Sequence, residues 1–318
     1  MKNRSVRLTA LILLLVLALT ACAAPATAPQ TEAPAEPQTE AQTDPFSYIP
    51  DRVRSKDSIR LLMFGNSYTS NISTYVWDIL RELGYKDITI GRMWISGASL
   101  QTHADNIKNG TAAYDFCLNT DGSWKSQGMH DAAFGAAYTD WDFITLQHQS
   151  AKSALSASFE PALTELVDFF TEKAPDSKLV WYMTWAYSED YIQSKESFKS
   201  EFESQAGMYG KLLDALSVVE AHPEFVTVLP VGTAVQNLRT AVGDTVNKDG
   251  SHLALGMARY AATMAYVKGL TGQSIDDLQG TAVDDCASRR NQLCLQAGKL
   301  AVNAAFEHPR AVTPITVE

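Results

Sequence analysis

Short apolar runs recur along this chain, each followed by a longer stretch in which apolar residues return every three or four positions. Five runs read as strands: residues 59–64, 88–95, 143–147, 179–184 and 226–230. They are continuous rather than alternating, as in strands covered on both faces. Helical periodicity fills the gaps. It opens near Asn71 and continues through 76–83, then returns at 159–173, 197–221 and 253–270. Pro161 is tolerated in the first turn of its helix. Strands separated by helices pair in parallel through right-handed crossovers. The pattern predicts an α/β fold: a flavodoxin-like three-layer α/β/α sandwich around a mostly parallel, five-stranded sheet. Residues 104–140 are rich in Gly, Asn and Asp and read as an irregular insertion. No internal repeat is evident.

The two ends of the chain lie outside this pattern. Lys2, Arg4 and Arg7 precede the apolar run 8–18, which ends in Leu19-Thr20-Ala21-Cys22. A basic head, a short apolar core and small residues at the cut form a secretory signal. The core is shorter than the roughly 20 residues of a membrane span. Leucine three positions before a cysteine looks like a bacterial lipobox, which makes residues 1–22 a lipoprotein signal and Cys22 the lipidated N-terminus. An ordinary signal peptide cut nearby is the alternative. Residues 23–45 are almost wholly Ala, Pro, Thr, Glu, Gln and Asp. Such a stretch buries too little to offset its ordering entropy and reads as a tether. The main domain then spans 46–272, with a helical extension, 273–318, packed on it.

Charge and cysteine content narrow the class further. Losing Lys2, Arg4 and Arg7 takes the net charge from −10 to −13. An acidic surface argues against nucleic acid and against adhesion to anionic lipid, leaving the lipid anchor as the membrane contact. Besides Cys22 there are Cys117, Cys286 and Cys294. The last two are eight positions apart on a predicted helix, about 12 Å along its axis and too far for a disulfide. Unpaired thiols are expected. No metal-ligand spacing and no cofactor motif appears.

Candidate chemistry sits at strand ends, where open parallel sheets place their crevice. Gly65-Asn66-Ser67 follows the first strand. Asp249-Gly250-Ser251-His252 lies far downstream. A serine needs a base to take its proton and a third group to orient that base, and these two pieces hold all three. Each motif alone fits an ordinary turn. Ser67 also lacks the second glycine of the Gly-x-Ser-x-Gly elbow, which argues against an ordinary α/β-hydrolase.

The pairing resembles the SGNH (GDSL-like) hydrolases, esterases and deacetylases whose serine follows the first strand and whose Asp-x-x-His lies near the end of the domain. The resemblance covers about residues 57 to 270. Trp141 to Gln147, Met183 to Tyr187 and Gly232 to Asn237 look like a bacterial branch of that superfamily. It implies Ser67 as nucleophile, His252 as base and Asp249 as orienting acid. The Ser67 amide, the Gly97 amide and the Gln147 side chain become the oxyanion donors. Two departures stand out. Gly-Asn-Ser replaces Gly-Asp-Ser, and Leu146-Gln147-His148-Gln149 replaces the block that carries an asparagine donor, so the donor falls on Gln147 or Gln149. Trp94, Trp185 and Tyr187 stand at strand ends as sugar-binding candidates. His103, His130, His148, His222 and His308 read as structural or solvated. The implied activity is a surface esterase removing short acyl groups, acetyl above all, from a glycan, without cofactor or metal. A non-catalytic carbohydrate-binding lipoprotein and a lipid or acyl esterase are the alternatives.

Overall fold

The computed structural model describes residues 44–283 and 289–317. Cys22, the signal and nearly all of the tether lie outside the described residues, as does Cys286. Seven strands form one sheet. They are β1 (Ser58–Gly65), β2 (Asp87–Trp94), β3 (Tyr114–Asn119), β4 (Trp124–His130), β5 (Phe143–Leu146), β6 (Lys178–Tyr182) and β7 (Phe225–Leu229). Their order is β4-β3-β2-β1-β5-β6-β7. The five strands expected from the sequence, β2, β1, β5, β6 and β7, run parallel.

The sheet departs from the expected five strands by an antiparallel hairpin. β3 pairs antiparallel with β2, and β4 antiparallel with β3. The segment 104–140 is therefore not an irregular insertion. It holds the end of a helix (Leu100–Lys108), this hairpin, and a short helix (Ala132–Ala136). Trp124-Lys125-Ser126-Gln127-Gly128-Met129-His130 is almost entirely exposed, so it has no apolar pattern to betray a strand. A polar outer strand also blunts the sheet edge against pairing with another chain.

Alternate strand residues face opposite layers. Phe64 reaches His103 of the helix Leu100–Lys108 and Phe170 of the helix Ala162–Lys173. Its neighbour Met63 pairs with Thr145, whose hydroxyl bonds Tyr266 of the helix Met257–Thr271 at 2.7 Å. These contacts identify the two helical layers. The helix Arg289–Glu307 packs on Met257–Thr271 and Val231–Val242 and buries Ala297, Ala301, Val302 and Ala305.

The helices also depart from the sequence pattern. The segment expected to open near Asn71 and run through 76–83 is two helices, Ser67–Ile72 and Val76–Glu82. The 197–221 segment is two helices, Glu196–Phe202 and Gln205–Glu220. The break comes at Glu203, with φ of 63°, and Ser204 caps the second helix by accepting from the Gly207 amide. The last helix of the parallel domain starts at Met257 rather than at 253, because 253–256 belong to a loop closed by an Asn247–Leu253 bridge. Val231–Val242 is a further helix that no apolar run announced. Among the described residues, no helix is long and apolar enough to cross a membrane.

Candidate active site

β1 delivers its last residues to the carboxyl edge of the parallel strands, and Asn66 ends the run with extended backbone. Its Oδ1 accepts the Tyr68 amide at 3.0 Å and so caps the helix Ser67–Ile72. Its Nδ2 donates to the Ala98 carbonyl at 2.9 Å. An aspartate could make the first bond but not the second, which gives the asparagine a physical role. Ser67 opens the helix, half-buried, with its hydroxyl facing the loop 247–254.

His252 Nε2 lies 2.9 Å from Ser67 Oγ. On the other side of the ring, Nδ1 lies 3.0 and 3.2 Å from the two Asp249 oxygens. The Asp249 carboxylate also accepts the His252 amide at 2.8 Å, the Ser251 amide at 3.1 Å and the Ser251 hydroxyl at 3.0 Å. Partial burial pushes this carboxyl up, but those amides and the two side chains overcome it and hold it well below the ordinary carboxylate range. An ionised Asp249 requires a proton on Nδ1. The ring then presents Nε2 as acceptor for the Ser67 hydroxyl.

Two further groups tie the halves of the site together. Asn71 Nδ2 donates to the Ser67 carbonyl at 3.0 Å, and its Oδ1 accepts the Leu253 amide at 2.8 Å. The Ser251 carbonyl accepts from Tyr68 Oη, Trp185 Nε1 and Asn247 Nδ2 at 2.9, 2.8 and 3.2 Å. Arg239, buried beside Asp244, holds Asn247 in turn through a 3.0 Å bond to its Oδ1. Of these, Tyr68, Asn247 and Arg239 did not stand out in the sequence, and Trp185 did so only as a sugar-binding candidate. Asn71 had one signal: it lies four residues after Ser67, one helical turn along the same face.

Gly97 lies in the loop after β2 with φ of 67° and an exposed backbone. That loop is pinned before Gly97 by the Ile95 amide, which donates to the Gly65 carbonyl at 3.0 Å, and after it by Asn66 on Ala98 and by the Leu100 amide, which donates to His148 Nδ1 at 3.2 Å. Burial depresses His148 and His103 to about 3, so both rings are neutral and His148 can accept. Gln147 is buried beneath the turn. Its Nε2 is 3.4 Å from Thr69 Oγ1, and its Oε1 has no partner among the described residues. Gln149 is half-buried, and its Oε1 accepts the Lys152 amide at 3.1 Å.

The three aromatic candidates separate. Trp185 is fully buried and stacks on Tyr68, centroids 4.3 Å apart. Tyr187 is buried and its hydroxyl meets Ser150 Oγ at 2.6 Å. Neither offers a ring face to solvent, because 183–188 folds under the loop 247–254, where the Ser188 amide bonds the Gly250 carbonyl at 2.8 Å. Both lie buried under that loop rather than presented as the expected sugar platforms. Trp94 stays half-buried, paired with Gly65 across β1 and β2 and 5.7 Å from the Arg92 guanidinium. Cys117 and Cys294 are free thiols. No group of three or more acidic, histidine or cysteine side chains among the described residues is placed to hold a metal.

Fold and site together define an α/β protein with a Ser–His–Asp hydrogen-bond chain at the carboxyl edge of its parallel strands. The chain belongs to the DUF4886 family, a domain of unknown function, whose model matches residues 60–307. A DUF4886 family protein from Bacteroides uniformis is 28% identical with a TM-score of 0.72, the match covering 81% of this chain and 98% of that one. A proposed SGNH hydrolase from Slackia heliotrinireducens is 19% identical with a TM-score of 0.46, over 68% of this chain and 100% of that one. A proposed GDSL-like lipase from Parabacteroides merdae is 13% identical with a TM-score of 0.45, over 67% and 96%. No curated protein matches the chain.

Proposed function

We propose that this protein is a serine esterase of the SGNH type, acting on short-chain esters of a carbohydrate. The observation that carries the reading is the unbroken hydrogen-bond chain from Ser67 Oγ through His252 to Asp249. Ser67 Oγ attacks the ester carbonyl as its proton passes to His252 Nε2. Asp249 stabilises the imidazolium that forms. The tetrahedral oxyanion is met by the Ser67 and Gly97 amides and by an amide side chain from the 147–149 loop. Gln147, with its Nε2 beneath the turn and 3.4 Å from Thr69 Oγ1, is the candidate donor, and Gln149, whose Oε1 accepts the Lys152 amide, is the alternative. Collapse of the intermediate expels the alcohol, which takes the proton from His252. Water then attacks the acyl-serine, with His252 again removing its proton, and releases the carboxylic acid.

Trp94 supports the carbohydrate part of the reading. It is the aromatic candidate with surface left to present, one strand spacing from Gly65 and so beside the nucleophile turn. We propose that Cys22 carries a lipid anchor that holds the enzyme outside the cytoplasm, on the resemblance of Leu19-Thr20-Ala21-Cys22 to a lipobox. Labelling with a fluorophosphonate probe tests the nucleophile, with Ser67→Ala as control. A series of acetyl, butyryl and octanoyl aryl esters tests the acyl group. A short-acyl pocket soon clashes with extra methylenes, while a lipid pocket gains up to about 0.8 kcal/mol for each one buried. Falling kcat/KM along the series, with acetate released from an O-acetylated polysaccharide, is the expected result. A rising series favours the lipid esterase. An unlabelled protein that binds glycan saturably favours the binding protein.

A further inference from the structure

Every bond between Asp249 and His252 is local. Carboxylate, amide, hydroxyl and ring all belong to one four-residue loop, so these bonds fix the imidazole relative to the aspartate and leave its position relative to Ser67 open. That loop is exposed on its outer side at Asp249, and Gly250 holds φ of 86°. Something else must hold it against the nucleophile helix.

We infer that Tyr68 and Trp185 are positioning residues that clamp the Ser251 carbonyl and thereby set His252 against Ser67. The inference rests on the esterase reading for its catalytic consequence. Tyr68 is the chain neighbour of Ser67, and its hydroxyl donates to that carbonyl at 2.9 Å. Trp185 Nε1 donates to the same oxygen at 2.8 Å. The two rings stack with planes 14° apart, and both are buried. The His252 ring rests edge-on against Tyr68, centroids 5.7 Å apart. One peptide unit separates the clamped oxygen from the His252 Cα, so a rotation there swings the imidazole. Burial raises Tyr68 well above the ordinary tyrosine range, which keeps its hydroxyl a donor.

A carbonyl has two lone pairs, and Ser251 serves three donors once Asn247 is counted. Losing one donor therefore leaves the lone pairs filled, and losing two does not. Tyr68→Phe, which deletes only a hydroxyl, and Trp185→Phe are each expected to lower kcat a few-fold. The double variant is expected to lose about 10²-fold, the scale of a misplacement near 1 Å, and more than the product of the singles. KM for an aryl acetate stays within about twofold, because ground-state contacts are untouched. Should Trp185→Phe fail to fold, Tyr68→Phe with Asn247→Ala tests the same carbonyl without touching the buried indole.

The second readout is the NMR titration of the His252 ring nitrogens, which needs no turnover. The double variant should change the His252 signals and its titration while the melting temperature of the folded domain stays measurable and cooperative. His252 signals identical to wild type overturn the clamp, whether or not the protein is an enzyme. Wild type that neither hydrolyses esters nor takes the fluorophosphonate overturns the esterase reading instead. Additive kinetic losses in the double variant overturn the shared-carbonyl model.

Discussion

Gly65 and Gln147 touch across neighbouring strands: a β-carbon built on Gly65 would stand 2.6 Å from Gln147 Nε2. It would also stand 2.4 Å from Thr69 Oγ1. The first residue of the nucleophile turn is thus fixed as glycine by close approach and not by an unusual backbone angle. Gly65→Ala is expected to cost about 1–3 kcal/mol, the usual range for overpacking a filled site. Displaced Thr69 and Gln147 would shift the turn, so turnover should fall further than stability. Urea unfolding and aryl-acetate kinetics on the same preparation check both. Unchanged stability would show that the side chains beneath the turn can yield.

Ser67→Ala and His252→Ala should each remove most esterase activity, by about 10⁴ to 10⁶ in rate, with the fold retained. Asp249→Asn should be damaging as well, since it ends the charge that dictates the imidazole tautomer. Wild-type turnover in Ser67→Ala would displace the nucleophile assignment.

Acid should destabilise the domain through His103 and His148. In the fold both titrate near 3, depressed chiefly by burial. In the unfolded chain they titrate near about 6.5. The unfolded state therefore binds more protons below that value, and stability present at neutral pH is lost as pH falls through the window between the two. Each contributes a loss of roughly 3 kcal/mol by about pH 4.5. Urea midpoints across that range should fall with pH, and His103→Phe should flatten the slope. Asp249 acts in the same direction but lower on the pH scale: its carboxyl is depressed in the fold, so its contribution to stability is lost only as pH falls below the ordinary carboxylate range near about 3.9.

The Cys22 assignment predicts that Cys22→Ala abolishes lipid attachment and moves the protein from the membrane fraction to the soluble one. Membrane fractionation with mass spectrometry of the mature N-terminus decides it. A wild type without a lipid adduct would make it an ordinary secreted protein.

The parallel strands and the Ser67, Asp249 and His252 motifs were legible because each is short and local: an apolar run, a glycine turn, an acid three residues before a base. The hairpin was not, since β4 has nearly every side chain in water and needs no apolar alternation. One cue was available in Asp121-Gly122, a hairpin dipeptide between the two strands, where Asn119 Oδ1 accepts the Gly122 amide at 2.8 Å. Trp185 and Tyr187 show a different limit. Their place after a strand was readable, but whether the loop folds outward or under 247–254 depends on Ser188 meeting Gly250, a pairing between distant segments. Gln147 against Gln149 was undecided because residues two apart at a strand end leave on the same side.

The hydrogen bond from Ser67 to His252 joins positions 185 residues apart. The nucleophile turn belongs to the first strand made, while the base arrives only with the loop before the last helix of the parallel domain. Contacts of such separation close late, after local helices and neighbouring strands have formed. On the esterase reading, turnover by this chain is therefore a report on completed folding. In a refolding experiment, ellipticity should return before reactivity toward an ester does, and the interval between them measures how long the two ends of the domain take to find each other.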